Sequence, residues 1–184
     1  MIKSILAISI VICGVLIFSN RVVSADADLS GAEKEAAVYR LYATYEQEFP
    51  AVTGISARKA LSLHQQGQVV FVDVRKPAEM EISMLPGAVG AEAYEMRGTQ
   101  IKDRTVVAYC TIGYRSGKFA EKMAEKGLRV FNLEGGILAW VWEGGSLQDA
   151  GGQTVKQVHV YAEKWDLAPG GYATTRFGFW QRLF

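Results

Sequence analysis

Cys110 is followed by Thr111-Ile112-Gly113-Tyr114-Arg115, and this hexapeptide is where reactive chemistry is most readily placed. The apolar run Thr105–Tyr109 before it reads as a strand. The stretch after it, roughly Ser116 to Lys126, reads as a helix with Phe119, Ala120 and Met123 on one face. A strand, a tight loop and a helix start turn several backbone N–H groups toward one point, and the helix adds the positive end of its dipole. Both favour an anion, which here would be the Cys110 thiolate, the nucleophilic form of cysteine. Gly113 permits the backbone angles that a tight cradle needs, and Arg115 supplies a fixed charge and a fork of donors for an anionic substrate. A cysteine taken alone is as readily a buried structural thiol, but Gly113 and Arg115 are odd choices for a plain core turn. A cysteine phosphatase also uses a thiolate in an anion-cradling loop ending in Arg, with one residue more between the two than the four present here. A Cys–His hydrolase would have only His64 and His159 to draw on, and neither sits in a supporting motif.

The elements around the loop define how it could be held. Val69–Val74 is a β-branched, apolar run interrupted by Asp73, the pattern of a buried parallel strand. Leu128–Leu133 reads as a third strand, and Gly135-Gly136 opens a short helix carrying Ile137, Leu138, Trp140 and Val141. Ser56 can cap a helix that ends at Gly67, with Ala57, Ala60, Leu61 and His64 on one face, so His64 reads as a packed or edge residue. Nearer the N-terminus, Ser30 and Glu33 have capping-box spacing. Val38, Leu41, Tyr42, Tyr45 and Phe49 then form an apolar helical stripe that Pro50 helps to stop. Strands alternating with helices predict an α/β domain with a mainly parallel sheet, and such sheets place their sites beyond the carboxyl ends of the strands.

Four segments in order are similar to the rhodanese family over roughly Ile55 to Gly145. They are Val72-Asp73-Val74-Arg75, Leu85-Pro86-Gly87-Ala88, the loop Cys110–Arg115, and Val130–Gly136 followed by Trp140. Two departures are visible: Met84 stands where many members carry a His before the Pro-Gly turn, and Thr111 stands where some thiosulfate-using members carry a basic residue. The resemblance implies a three-layer rhodanese-like domain and a sulfurtransferase working through a covalent enzyme intermediate. Cys110 would attack the outer sulfur of a donor such as thiosulfate, become a persulfide, and pass that sulfur to a thiol or to cyanide. The N–H groups of Thr111, Ile112, Gly113, Tyr114 and Arg115 would hold the persulfide's charge. Arg115 would also receive the donor's anionic end and keep Cys110 ionised. Asp73 and Arg75 would brace the loop from the neighbouring strand end, with a paired structural carboxylate as the plainer reading of Asp73. The implied partners are a small anionic sulfur donor and a thiol or cyanide acceptor, a protein acceptor included. The alternative within the family is a non-catalytic binding or sulfur-carrier module. No metal-ligand cluster or nucleotide fingerprint occurs, so no cofactor is expected.

Composition bounds the rest. The 184 residues are 49% hydrophobic and 21% charged, with a formal net charge of +1, which suits one globular domain with extensions and gives no basic field for nucleic acid. Residues 1–27 read as an export signal: Lys3, an apolar run from Ile5 to Phe18, then small residues around Val23-Ser24-Ala25 and Ala25-Asp26-Ala27. An uncleaved membrane anchor is the rival reading, and either implies an exported, periplasmic or extracytoplasmic protein. Cleavage would remove Cys13 and leave Cys110 as the single cysteine. The expected organisation is therefore a signal or anchor over 1–27, a helical extension over 28–50, a rhodanese-like domain over 51–148 and a C-terminal extension over 149–184. In that last segment Gly151-Gly152 reads as a hinge and Val158–Tyr161 as a short strand. Trp165, Tyr172, Phe177, Phe179, Trp180 and Phe184 are expected either to pack back on the domain or to meet a partner or membrane surface.

Overall fold

The computed structural model describes residues 29–97 and 103–178. Helix α1 (Gly31–Glu46) begins with the expected capping box: the Ser30 hydroxyl accepts from the Glu33 N–H, and the Glu33 carboxylate accepts from the Ser30 N–H at 2.9 Å. Strand β1 (Gly54–Ile55) leads into α2 (Ala57–Gln65), capped by Ser56. Then come β2 (Val69–Asp73), α3 (Pro77–Met80), β3 (Val89–Gly90), α4 (Ala91–Arg97), β4 (Thr105–Tyr109), α5 (Tyr114–Glu125), β5 (Phe131–Leu133) and α6 (Gly136–Trp142). The five strands form one parallel sheet in the order β1-β5-β4-β2-β3.

Alternation along the central strands builds two cores, one on each face. Val69 and Phe71 of β2, with Val107 and Tyr109 of β4, join residues of α1, α2 and α6 on one face. Val72 of β2, with Val106 and Ala108 of β4, joins Tyr94 of α4 and Phe119, Ala120 and Met123 of α5 on the other. This is the expected three-layer α/β domain with a parallel sheet. The register pairs Asp73 with Tyr109, so β2 and β4 end level, and Val74-Arg75 lies beside Cys110. That alignment gathers the site at the carboxyl edge of the sheet.

Several boundaries differ from the sequence expectation. The third strand starts at Phe131 rather than Leu128, because Leu128 N–H closes on Met123 O and Gly127, at φ +73°, ends α5 in a left-handed turn. Helix α5 starts at Tyr114, two residues earlier than the sequence suggests. Gly151-Gly152 is a tight turn rather than a hinge. It joins β6 (Leu147–Gln148) to β7 (Thr154–Val155) in an antiparallel hairpin, with Asp149 Oδ1 accepting from the Gly151 and Gln153 N–H groups. The edge strands β1 and β3 and the short helices α3 and α4 have no counterpart in the sequence reading.

The expected strand near Val158 is β8 (Gln157–His159), which pairs in parallel with β9 (Ala173–Thr175). Val158, Val160, Leu167 and Ala168 enter the same core as α1 and α6, so the tail packs back on the domain as far as Phe177, which is buried against His159. Phe179, Trp180 and Phe184, and the signal or anchor over 1–27, lie outside the described residues. Among the described residues no helix is long and apolar enough to cross a membrane. His64 sits half-buried between Phe71 and Trp140, with ring centroids 5.8 Å from each.

Candidate active site

The loop after β4 is shaped by what takes its carbonyls. Ile137 N–H at the start of α6 donates to Cys110 O at 2.9 Å, and Leu138 N–H to Thr111 O at 3.4 Å. Asn132 of β5 donates its side-chain amide to Gly113 O at 2.9 Å. With these carbonyls taken up by neighbouring elements, the N–H groups of Gly113 and Ser116 are left to the cysteine sulfur. Gly113 N–H donates to Cys110 Sγ at 3.1 Å, and Ser116 Oγ stands 3.6 Å from the same sulfur. Gly113 has φ +126°, and a Cβ there would lie 2.6 Å from the Tyr42 ring. Gly136 has φ +58°, and a Cβ there would lie 2.4 Å from Cys110 O and 2.7 Å from Thr111 O. Only glycine lets α6 approach the loop this closely.

Cys110 is 3% exposed. Burial pushes its thiol pKa up. The Arg115 charge, the N–H groups of Ser116 and Gly113 and the Ser116 hydroxyl more than reverse that and hold it below the ordinary value. Arg115 does not keep its fork open. Its terminal nitrogens close on Glu79 at 2.6 and 2.8 Å, one also reaches Thr111 Oγ1 at 3.3 Å, and the guanidinium lies over the Tyr161 ring. What remains for a ligand is its charge and a side chain 28% exposed to the cavity side. Glu79 is fully buried. Burial raises its pKa, but Arg115 holds the carboxyl well below the usual carboxylate range. His159 Nδ1 stands 3.6 Å from the same carboxylate.

Asp73 and Arg75 brace the strand end rather than the loop itself. Arg75 Nε and Nη2 donate to Asp73, Nη2 also donates to Ser83 O, and Tyr109 O–H donates to Asp73 Oδ2. Their grip therefore falls on Tyr109, the residue before Cys110. Met84, at the departure before the Pro-Gly turn, exchanges backbone hydrogen bonds with Gln148 at 2.8 and 2.9 Å.

Cys110 opens into a cavity of about 700 Å³. Val74, Arg75 and Lys76 line it from the end of β2, and Thr111, Ile112, Tyr114 and Arg115 from the loop. Tyr45 and Glu48 come from α1 and its end, and Tyr161, Lys164 and Trp165 from the C-terminal extension. Every residue of the expected loop thus surrounds Cys110 or supports it. Sequence reasoning missed Glu79, Ser116, Asn132 and the wall from the extension. For Glu79 the one local signal was Pro77 followed by Glu79 at a helix start, where its carboxylate accepts from the Lys76 N–H at 2.9 Å.

A cysteine whose thiol pKa is held below the ordinary value, with N–H donors at its sulfur and an arginine beside it, on an open cavity, has the features that nucleophilic attack on an anionic substrate requires. Comparison with known proteins narrows the setting. Residues 56–143 match the family described as rhodanese-like domain. A sulfurtransferase of Allochromatium vinosum is 41% identical over 80 residues, spanning 41% of this chain and 75% of that one. The chain belongs to the rhodanese-like family. The tRNA uridine(34) hydroxylase of Bordetella pertussis is 34% identical over 107 residues, which are 51% of this chain but only 44% of that enzyme. The thiosulfate sulfurtransferase of Pseudomonas aeruginosa has a TM-score of 0.51 at 19% identity, over 65% of this chain and 24% of that one, and shares the fold. The rhodanese-like match stops at residue 143, so Tyr45 and Glu48 on one side and Tyr161, Lys164 and Trp165 on the other are additions to its cleft.

Proposed function

We propose that this rhodanese-like chain is a sulfurtransferase in which Cys110 carries the sulfur as a persulfide. The observation that carries the reading is the loop geometry: the carbonyls of Cys110, Thr111 and Gly113 are taken up by neighbouring elements, with the Gly113 N–H 3.1 Å from Sγ. The Cys110 thiolate attacks the outer sulfur of a donor such as thiosulfate. A new S–S bond forms, the donor's own S–S bond breaks, and sulfite leaves with the bonding pair. An acceptor thiolate or cyanide then attacks the outer sulfur of the persulfide and returns Cys110 to the thiolate. The loop N–H groups and Arg115 offset negative charge in both steps. The sulfurtransferase name of the Allochromatium vinosum relative supports the reaction class.

The test is thiosulfate:cyanide transfer by the full chain beside Cys110→Ala, with mass spectrometry after thiosulfate alone. Turnover and a mass gain of one sulfur, both absent in the variant, support the reading. A folded protein that gains no sulfur from any donor sinks it in favour of a non-catalytic binding module. We also propose that residues 1–27 direct the chain out of the cytoplasm. Cell fractionation with N-terminal sequencing tests this, and a cytoplasmic chain with its N-terminus intact would refute it.

A further inference from the structure

We infer that the C-terminal extension is the substrate-selecting wall of this site, and that it admits an organic sulfur carrier bearing a carboxylate in preference to thiosulfate. The inference rests on the sulfur-transfer reading above. Size is the first argument. Thiosulfate has five heavy atoms, which at about 30 Å³ each fill about 150 Å³. The cavity is about 700 Å³, within the range that holds whole organic ligands.

The chemistry of the walls is the second argument. Tyr161 and Trp165 pack together at 5.4 Å between ring centroids, and Trp165 meets Tyr45 of α1 edge-on at 6.4 Å. Tyr45 in turn meets Tyr114 of the loop at 5.3 Å. An aromatic wall therefore runs from the cysteine loop to the extension. Inorganic thiosulfate, wholly polar, gains nothing from such a surface, whereas the carbon body of a thiol does. Lys76 and Lys164 stand on the same cavity, each beside an aromatic ring and neither paired with a carboxylate among the described residues. The Arg115 fork is already closed on Glu79, so these two ammonium groups are the better placed to receive a carboxylate at a distance from the reacting sulfur.

The step balances without an added oxidant or reductant. The Cys110 thiolate attacks the terminal sulfur of R–S–S⁻, the Cys110 S–S bond forms, the carrier's S–S bond breaks, and R–S⁻ leaves with the electron pair. Run in reverse, the same wall would serve an organic acceptor thiol.

The test measures kcat/KM for Cys110 persulfide formation from glutathione persulfide and from thiosulfate, in the full chain and in Trp165→Ala and Lys164→Gln. Lys164 is exposed, so its substitution leaves the core intact even if Trp165→Ala loosens the extension. The wild type should prefer glutathione persulfide. Each variant should lower the ratio of the two kcat/KM values by about fivefold to tenfold, mainly through KM. An unchanged ratio in both variants overturns the inference, because the wall is then packing alone. Persulfide formation from thiosulfate with none from the organic donor overturns it while leaving sulfur transfer intact. Failure with every donor removes the sulfur-transfer reading itself.

Discussion

A methyl group placed on Gly136 should separate the cost of backbone strain from the cost of disturbing the cysteine cradle. Gly136→Ala meets two penalties. Its φ of +58° lies in the left-handed region, which costs an alanine about 1–2 kcal/mol. The new Cβ would also lie 2.4 Å from Cys110 O, where ordinary contact begins at 3.4 Å, so the loop or α6 must retreat by about 1 Å. Overpacking of that kind costs about 1–3 kcal/mol, for a total of about 2–5 kcal/mol. Gly127→Ala is the control: its φ is +73°, but nothing lies within 4 Å of the added Cβ, so it meets the strain penalty alone. Denaturant unfolding gives the two stabilities, and sulfur transfer per folded molecule gives the two activities. Gly127→Ala should transfer sulfur normally. Gly136→Ala should lose up to about a hundredfold, because a displacement of about 1 Å at reacting groups has that reach. Equal activity of the two variants, once corrected for folding, would refute the claim that α6 sets the cradle.

Three further outcomes follow from the charges. Arg115→Gln removes the strongest influence holding the Cys110 pKa down, so the pH profile of iodoacetamide alkylation should move to higher pH, and an unmoved profile would show that the N–H groups suffice alone. Glu79→Gln should cost about 2–3 kcal/mol, below the usual range for a buried pair because Arg115 is 28% exposed, and a loss under about 1 kcal/mol would contradict the pairing. The Glu79 pKa is depressed by folding, so its contribution is present above the unfolded value of about 4.3 and fades as pH falls below it. Wild-type stability should therefore fall more steeply than that of Glu79→Gln between about pH 5 and pH 3. Asp73→Asn strands the fully buried Arg75 charge and should cost about 3–5 kcal/mol in denaturant unfolding, with a near-neutral result refuting the ion pair's role.

What the sequence revealed of this architecture tracks the range of the interactions involved. Strands β2 and β4 were legible because both faces of each are almost wholly buried and their residues run as β-branched and apolar stretches, with Asp73 the one charged residue, at the end of β2. The loop was legible because cysteine, glycine and arginine sit within one hexapeptide. Strands β1 and β3 have two residues each, too few for any alternation to register. Glu79 carries no periodic signal, and its partner Arg115 is 36 residues away. Trp165 was expected to pack back on the domain or to meet a partner or membrane surface, and neither it nor Tyr161 was expected in the cleft. The place of this aromatic wall is set by the parallel pairing of β8 with β9 and by Tyr45 on α1, contacts between segments far apart in the chain.

A motif of cysteine, four residues and arginine is therefore not sufficient for the chemistry. Burial by itself would keep the Cys110 thiol neutral, and the loop sequence alone does not say which way its peptide groups turn. That choice is made by residues outside the motif. Asn132 on β5 and the N–H groups of Ile137 and Leu138 on α6 take the loop carbonyls, and Gly136 allows α6 to come near enough to do so. A chain with the same hexapeptide but a side chain at position 136 would keep the cysteine and lose the close approach of α6 to the carbonyls of Cys110 and Thr111. In this fold the setting of Cys110 is thus a property of three adjoining elements, β4, β5 and α6, held level by the parallel sheet.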